Sequence, residues 1–189
     1  VTSFTQLLAQ RYASQLDEEA NTIINFAVDG ARRMESLIND LLTFSRVATQ
    51  GNPFEPTPCA EALDVALSNL QVLMQEADAT ITQHELPTAL ADPAQLVQIF
   101  QNLVGNALKY RSDRPLTIEI GAQSEEDHWL IWVRDNGIGM KPQYTERIFL
   151  IFQRLHTRQE YSGTGIGLSI CKKIVERHGG QILAESELG

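Results

Sequence analysis

A stripe of apolar residues between Asn21 and Arg46 constrains the fold more than any other feature. Ile24, Ala27, Ala31, Met34, Ile38, Leu41 and Ser45 recur at alternating steps of three and four, the spacing that keeps one side of an α-helix turned toward a partner. Val28, Leu37 and Leu42 widen the stripe beyond what one partner helix covers, so the pattern predicts a helical bundle rather than a two-stranded coil. Phe4, Leu7, Leu8, Tyr12 and Leu16 mark a shorter helix before it, with Asp17 placed to cap the long one. Residues 1–47 are therefore expected to form a helical hairpin. Gly51, Pro53, Pro56 and Pro58 then break the helical pattern, which predicts a linker over 48–58 and a second domain over 59–189.

In that second domain Leu63, Ala66, Leu67, Leu70, Leu73 and Met74 trace one amphipathic helix, followed by a short strand around 79–83. Asp92 as N-cap, Pro93 at the first helical position and Gln95 three residues after the cap open a second helix. Strands are expected at 116–122 and 129–133. Irregular chain follows, then a helix from about Gly167 to Arg177 closed by Gly179-Gly180, and a strand at 181–185.

Composition excludes several partners. A net charge of -9 leaves no basic footprint, so nucleic acid is not expected. The apolar runs fall well short of the roughly 20 residues that cross a bilayer, so no membrane contact is expected. Cys59 and Cys171 lack metal-ligand spacing and suit the reduced thiols of a cytoplasmic protein.

Four separated blocks carry the chemistry: Asn102-Leu-Val-Gly-Asn106-Ala-Leu-Lys109-Tyr110, Asp135-Asn-Gly137-Ile-Gly139-Met140, Phe149-Leu-Ile-Phe152-Gln-Arg154 and Gly163-Thr164-Gly165-Ile-Gly167-Leu168. Asn102, Asn106 and Lys109 fall at i, i+4 and i+7 and share one helix face, with Tyr110 beside them. A carboxamide oxygen is a hard neutral ligand for Mg²⁺, which makes Asn106 the candidate metal ligand. Lys109 can neutralise phosphate charge, and Tyr110 can stack on a base or ribose. Asp135 can accept a hydrogen bond from an exocyclic amine, while Gly137 and Gly139 let backbone approach a flat ligand. Gly163, Gly165 and Gly167 alternate just before a helix, where backbone N–H groups converge on anions. Residues 156–162 are expected to form a mobile lid, with Phe149 and Phe152 anchoring its base and Arg154 reaching a phosphate.

Each block alone has a plainer explanation. The polar stripe is also what a solvated helix face looks like, Asp-Asn-Gly is an ordinary turn, and alternating glycines occur in many loops. Together, in this order, the blocks resemble the ATPase module shared by gyrase, Hsp90, histidine kinases and MutL. The preceding hairpin makes the chain most similar to sensor histidine kinases, and the run from Ile148 to Leu168 resembles those of the cyanobacterial phytochrome type.

That resemblance implies an α+β fold: a hairpin that dimerises into a four-helix bundle, then a Bergerat-type α/β sandwich with three helices over a mixed sheet, its last strand missing at Gly189. It also implies ATP and Mg²⁺ as cofactors, Mg²⁺ on Asn106, adenine on Asp135 and phosphates on Lys109, Arg154 and the 163–167 loop, with Asn102 supporting the pocket. A homodimer and a response-regulator receiver domain are the implied partners, and protein histidine kinase is the implied activity.

Two departures bear on this. The family's acceptor histidine lies on the first hairpin helix, yet the histidines here are His84, His128, His156 and His178. The chain is therefore expected to begin just downstream of the acceptor and to be unable to phosphorylate itself. His84 and His128 are expected to face solvent, His156 to line the lid, and His178 to pack or cap at a helix end. Second, the hydrolases and serine kinases of the superfamily usually place a glutamate where this chain has Asn102. An amide cannot act as the base that activates water or a hydroxyl, which favours transfer to a histidine. A hydrolase or serine kinase, and a nucleotide-binding scaffold without turnover, remain the alternatives.

Overall fold

The computed structural model describes all residues except 1, 13, 158, 159 and 162. It divides into two compact units, Val1–Thr43 and Phe44–Gly189.

The first unit is the hairpin. Helix α1 spans Thr2–Tyr12, and α2 starts at Glu18 and runs to Thr49, its final turns belonging to the second unit. Asp17 caps α2 as expected, accepting from the Ala20 N–H at 2.8 Å. Within the heptad stripe Ala31 is buried, whereas Met34, Ile38 and Leu41 are about half exposed.

The second unit is an α+β sandwich. Strand β2 (Thr80–Gln83) pairs parallel with β4 (Thr117–Ser124), and β4 pairs antiparallel with β5 (Trp129–Asp135), giving a mixed sheet. Helix α5 (Pro93–Lys109) buries Leu96, Phe100, Val104, Ala107 and Leu108, one face at helical spacing. They share a core with Leu63 and Ala66 of α3 (Cys59–Asn69) and with Ile118 and Ile120 of β4. Helix α6 (Gly167–Arg177) packs on α5 through an apolar face that includes Ile170 and Ile174. No helix among the described residues is long and apolar enough to cross a membrane.

Several expectations need correction. The helix read as continuous from Leu63 to Met74 breaks at Leu70 into α3 and α4 (Gln71–Glu76). There the Leu70 N–H is shared between the carbonyls of Ala66 and Leu67, a tightened turn that ends α3. The segment read as linker contains β1 (Glu55–Pro58), which pairs antiparallel with β3 (Thr88–Ala91) in a separate two-stranded ladder. Both prolines fit because each strand of a two-stranded ladder is an edge, where a missing N–H can face outward. Finally, residues 181–185 are not a strand. Their burial alternates as in extended chain, but they enter no ladder among the described residues.

Asp92 caps α5, accepting from the N–H groups of Ala94 and Gln95, and is 1% exposed. Burial pushes its pKa up, but hydrogen bonds from Asn52, Gln95 and Ala94 outweigh that and hold it below 3.8. A carboxyl with a lowered folded pKa stabilises the fold above its unfolded value and loses that contribution as pH falls through the folded value. The stability gap between parent and Asp92→Asn, measured by urea unfolding, is therefore expected to narrow as pH drops below 3.8. A gap independent of pH there would contradict the ionised, hydrogen-bonded state of Asp92.

Both cysteines are free and buried, and burial pushes the Cys171 thiol up to about 12. That removes it as a nucleophile at neutral pH.

Candidate nucleotide site

Helix α5 carries its apolar face into the core and its polar face toward two loops. Asn102 donates its amide to the Gln98 carbonyl at 2.9 Å, and its Oδ1 lies against Gly167, 2.5 Å from where a Cβ would stand. One helical turn on, Asn106 is half-buried on the same face. The Nζ of Lys109 sits 4.5 Å from the Tyr110 ring centroid and 2.8 Å from a Cβ position at Gly163. One helix face thus meets both ends of the glycine loop.

The second loop leaves β5. Asp135 is exposed, and its Oδ1 accepts the Gly137 N–H at 2.9 Å, an Asx turn that fixes the carboxylate at the strand end. The Tyr110 carbonyl accepts the Ile138 N–H at 2.9 Å and also lies where a Gly137 Cβ would be. Helix end and loop therefore touch backbone to backbone. Gly137→Ala is expected to cost about 1–3 kcal/mol, since the new methyl meets a carbonyl that cannot move without displacing α5 or β5. A urea midpoint equal to the parent's would contradict this contact. Gly139 instead abuts the Glu187 carbonyl, while Met140 donates to Ser186 Oγ at 2.9 Å and Gly189 to the Ile138 carbonyl at 3.0 Å.

At the start of α6 the N-cap, Ile166, supplies no side-chain cap. Thr164 Oγ1 accepts from the Ile166 N–H at 3.4 Å, and Gly167 and Leu168 open the helix. First-turn N–H groups of such a helix have no intrahelical acceptor and suit an anion.

The lid expectation, 156–162, falls partly on residues outside those described. Of its expected anchors, Phe149 is buried at 8%, but Phe152 is 59% exposed. Phe152 adopts φ 64°, which lets its N–H reach the Gly165 carbonyl at 3.0 Å. That left-handed turn takes the role expected of its ring. Arg154 donates to the carbonyls of Gly163, Thr157 and Tyr161, so its guanidinium holds the loop itself.

Sequence reasoning missed the aromatic cluster at this end of α5. Tyr110 lies 4.9 Å from Tyr161 and 5.7 Å from His156, and those two rings are 5.0 Å apart. Only the abundance of rings near the loop hinted at it. Among the histidines, His84 and His128 are exposed as expected. His178 does cap and pack: its Nε2 accepts the Asp92 N–H at 3.0 Å.

The donor set fits Mg·ATP. Among the described residues no His, Cys, Asp and Glu cluster could cage a metal by itself. A single carboxamide beside a cationic Lys109 and free helix N–H groups suits an ion that takes its remaining ligands from phosphates and water.

The model of the family described as histidine kinase-, DNA gyrase B-, and HSP90-like ATPase matches residues 91–189. Cyanobacterial phytochrome A of Nostoc sp. (strain PCC 7120 / SAG 25.82 / UTEX 2576) is 54% identical over 189 residues, 100% of this chain and 25% of that protein. Phytochrome-like protein Cph1 of Synechocystis sp. (strain ATCC 27184 / PCC 6803 / Kazusa) is 49% identical over 189 residues, again 100% of this chain and 25% of that protein. The chain thus spans a quarter of the length of these curated relatives. Among solved structures, full-length ShkA in complex with AMPPNP matches with a TM-score of 0.71 at 25% identity, covering 100% of this chain and 41% of that one.

Proposed function

The chain belongs to the histidine kinase-, DNA gyrase B- and HSP90-like ATPase family and carries the ATP-binding catalytic core of a sensor histidine kinase, and we propose that it passes the γ-phosphate of Mg·ATP to a histidine outside these residues. One observation carries this most directly: the polar face of α5 meets the Asp135 loop at Tyr110 and the glycine loop at Lys109 and Asn102. Adenine contacts and phosphate contacts are then set by one rigid helix.

In this reading Asp135 accepts from the adenine amine, and Tyr110 lies against the base or ribose. Lys109 and the N–H groups at Gly163, Thr164, Gly165, Gly167 and Leu168 take the phosphates. Asn106 would hold Mg²⁺, which would neutralise phosphate charge. Arg154 exchanges loop carbonyls for phosphate oxygens as the loop closes. The acceptor imidazole attacks the γ-phosphorus with its lone pair, the bond to the bridging oxygen breaks, and ADP leaves. No base is needed, because a neutral imidazole nitrogen is already the nucleophile. That agrees with an amide, Asn102, one turn before Asn106.

The exposed part of the α2 stripe, with Met34 at 55% and Ile38 at 58%, supports a second copy of the chain as partner. A receiver domain whose aspartate takes the phosphoryl group from the histidine completes the reading, with a cytoplasmic location.

The test is a longer protein that includes the acceptor histidine, given γ-labelled ATP and Mg²⁺. Protein-bound phosphate stable to alkali and lost in acid is the expected product. Free phosphate alone would replace the reading with a hydrolase. ATP binding with neither product would leave a nucleotide-binding scaffold.

A further inference from the structure

Strand β5 does not simply run out at Asp135. Its ladder with β4 keeps register up to the pair of Ile118 and Asp135 and ends there. One residue further, the side chain of Asn136 takes over from the main chain. Its Oδ1 accepts the Thr117 N–H at 2.9 Å, and its Nδ2 donates to the Pro115 carbonyl at 2.9 Å. The amide thus meets β4 with one acceptor and one donor, as the next stretch of strand would have done. Turned over, it would set donor against donor and acceptor against acceptor, so one orientation fits. A third bond reaches the Asn136 carbonyl from Ser112 Oγ at 3.3 Å. Asn136 is half-buried by these contacts, while Asp135 beside it is exposed.

The consequence falls on Asp135. Its Oδ1 accepts the Gly137 N–H at 2.9 Å, an Asx turn that requires the chain to bend at Asn136. A main chain that continued along β4 would straighten there, open that turn and leave the carboxylate to rotate. Further along the loop, the Ile138 N–H is held by the Tyr110 carbonyl and the Met140 N–H by Ser186 Oγ. Those bonds fix backbone beyond the bend. Asn136 is the side chain that fixes the bend itself.

We infer that Asn136 is a positioning residue for nucleotide recognition: its amide ends the β4–β5 ladder and so sets the direction in which the Asp135 carboxylate meets the exocyclic amine of the base. This role rests on the reading of Asp135 as the adenine acceptor and deepens it. Selectivity for a purine bearing a 6-amino group then depends on a residue whose own amide is turned to β4 and not to the base. A carboxylate already held in its binding orientation loses less freedom when the ligand arrives, and contributes more of its hydrogen bond to affinity.

The experiment titrates this chain, in the presence of Mg²⁺, with ATP and with purine riboside triphosphate, which lacks the 6-amino group. The ratio of the two dissociation constants reads the contact to the amine. The parent is expected to prefer ATP at least about tenfold. Asn136→Ala is expected to weaken ATP about three- to tenfold and the analogue by less than about twofold, so the ratio shrinks. Thr117 and Pro115 are exposed, so water can take the groups that the alanine frees and the variant is expected to fold. Asn136→Asp keeps an acceptor for the Thr117 N–H but turns an oxygen toward the Pro115 carbonyl. It is also expected to shrink the ratio, and it reports where the alanine variant unfolds. In an Asp135→Asn background neither substitution should lower the ratio further, because both act through the same carboxylate.

A ratio that stays at the parental value, whether both affinities hold or both fall together, would make Asn136 a structural residue and overturn the inference alone. So would a further fall of the ratio in the Asp135→Asn background. A parent that binds the two triphosphates equally would remove Asp135 from the amine, overturning that part of the proposed function and this inference with it. A parent that binds neither would overturn the nucleotide site as a whole.

Discussion

Asp135→Asn is expected to weaken ATP binding about 10- to 150-fold while leaving the fold in place, which corresponds to about 1.5–3 kcal/mol for a hydrogen bond to a charged group. The fold should survive because Asp135 is exposed and its internal role is to accept the Gly137 N–H, which an asparagine oxygen can also do. Once that oxygen is used, the asparagine turns an NH₂ donor toward the ligand where the aspartate offered a second acceptor. Donor then faces donor at the adenine amine. Calorimetry with ATP, beside urea unfolding, separates the two effects. Unchanged ATP affinity would remove Asp135 from the pocket, and a lost fold would mean that the charge itself holds the turn.

In the longer protein that includes the acceptor histidine, Asn106→Ala is expected to slow Mg²⁺-dependent phosphoryl transfer at least about 100-fold, about 2.7 kcal/mol in the barrier, with the unfolding midpoint unchanged or slightly raised. Alanine is the better helix former, and the core side of α5 at this level is made by Val104, Ala107 and Leu108 rather than by Asn106. The loss should therefore appear in the chemistry and in the Mg²⁺ dependence, not in stability. Transfer within about threefold of the parent would place the metal on some other group.

The parts of the fold legible in sequence are those fixed by local chemistry. Asp17 and Asp92 announce helix starts because a cap acts over three residues. The polar face of α5 was legible for the same reason, since helical spacing alone puts Asn102, Asn106 and Lys109 together. What stayed hidden depends on partners remote in sequence. Arg177 and Asp92 are 85 positions apart, and no local pattern joins them. Strand β1 holds two prolines and exists because β3 lies beside it. The opposite error, at 181–185, has the same origin: the short apolar run Ile182-Leu183-Ala184 permits a strand, but a ladder requires a neighbour in register. Phe152 was misjudged because a bulky residue rarely adopts a left-handed backbone, and here the bond to Gly165 demands it.

A crystal structure of this chain with Mg²⁺ and a non-hydrolysable ATP analogue tests the central claim most directly. The account predicts adenine at the Asp135 carboxylate and the metal on the Asn106 oxygen. The phosphates should lie between Lys109 and the N–H groups of 163–168, with Arg154 released from the loop carbonyls. Nucleotide bound elsewhere, or adenine and phosphates reversed across the face of α5, would contradict it.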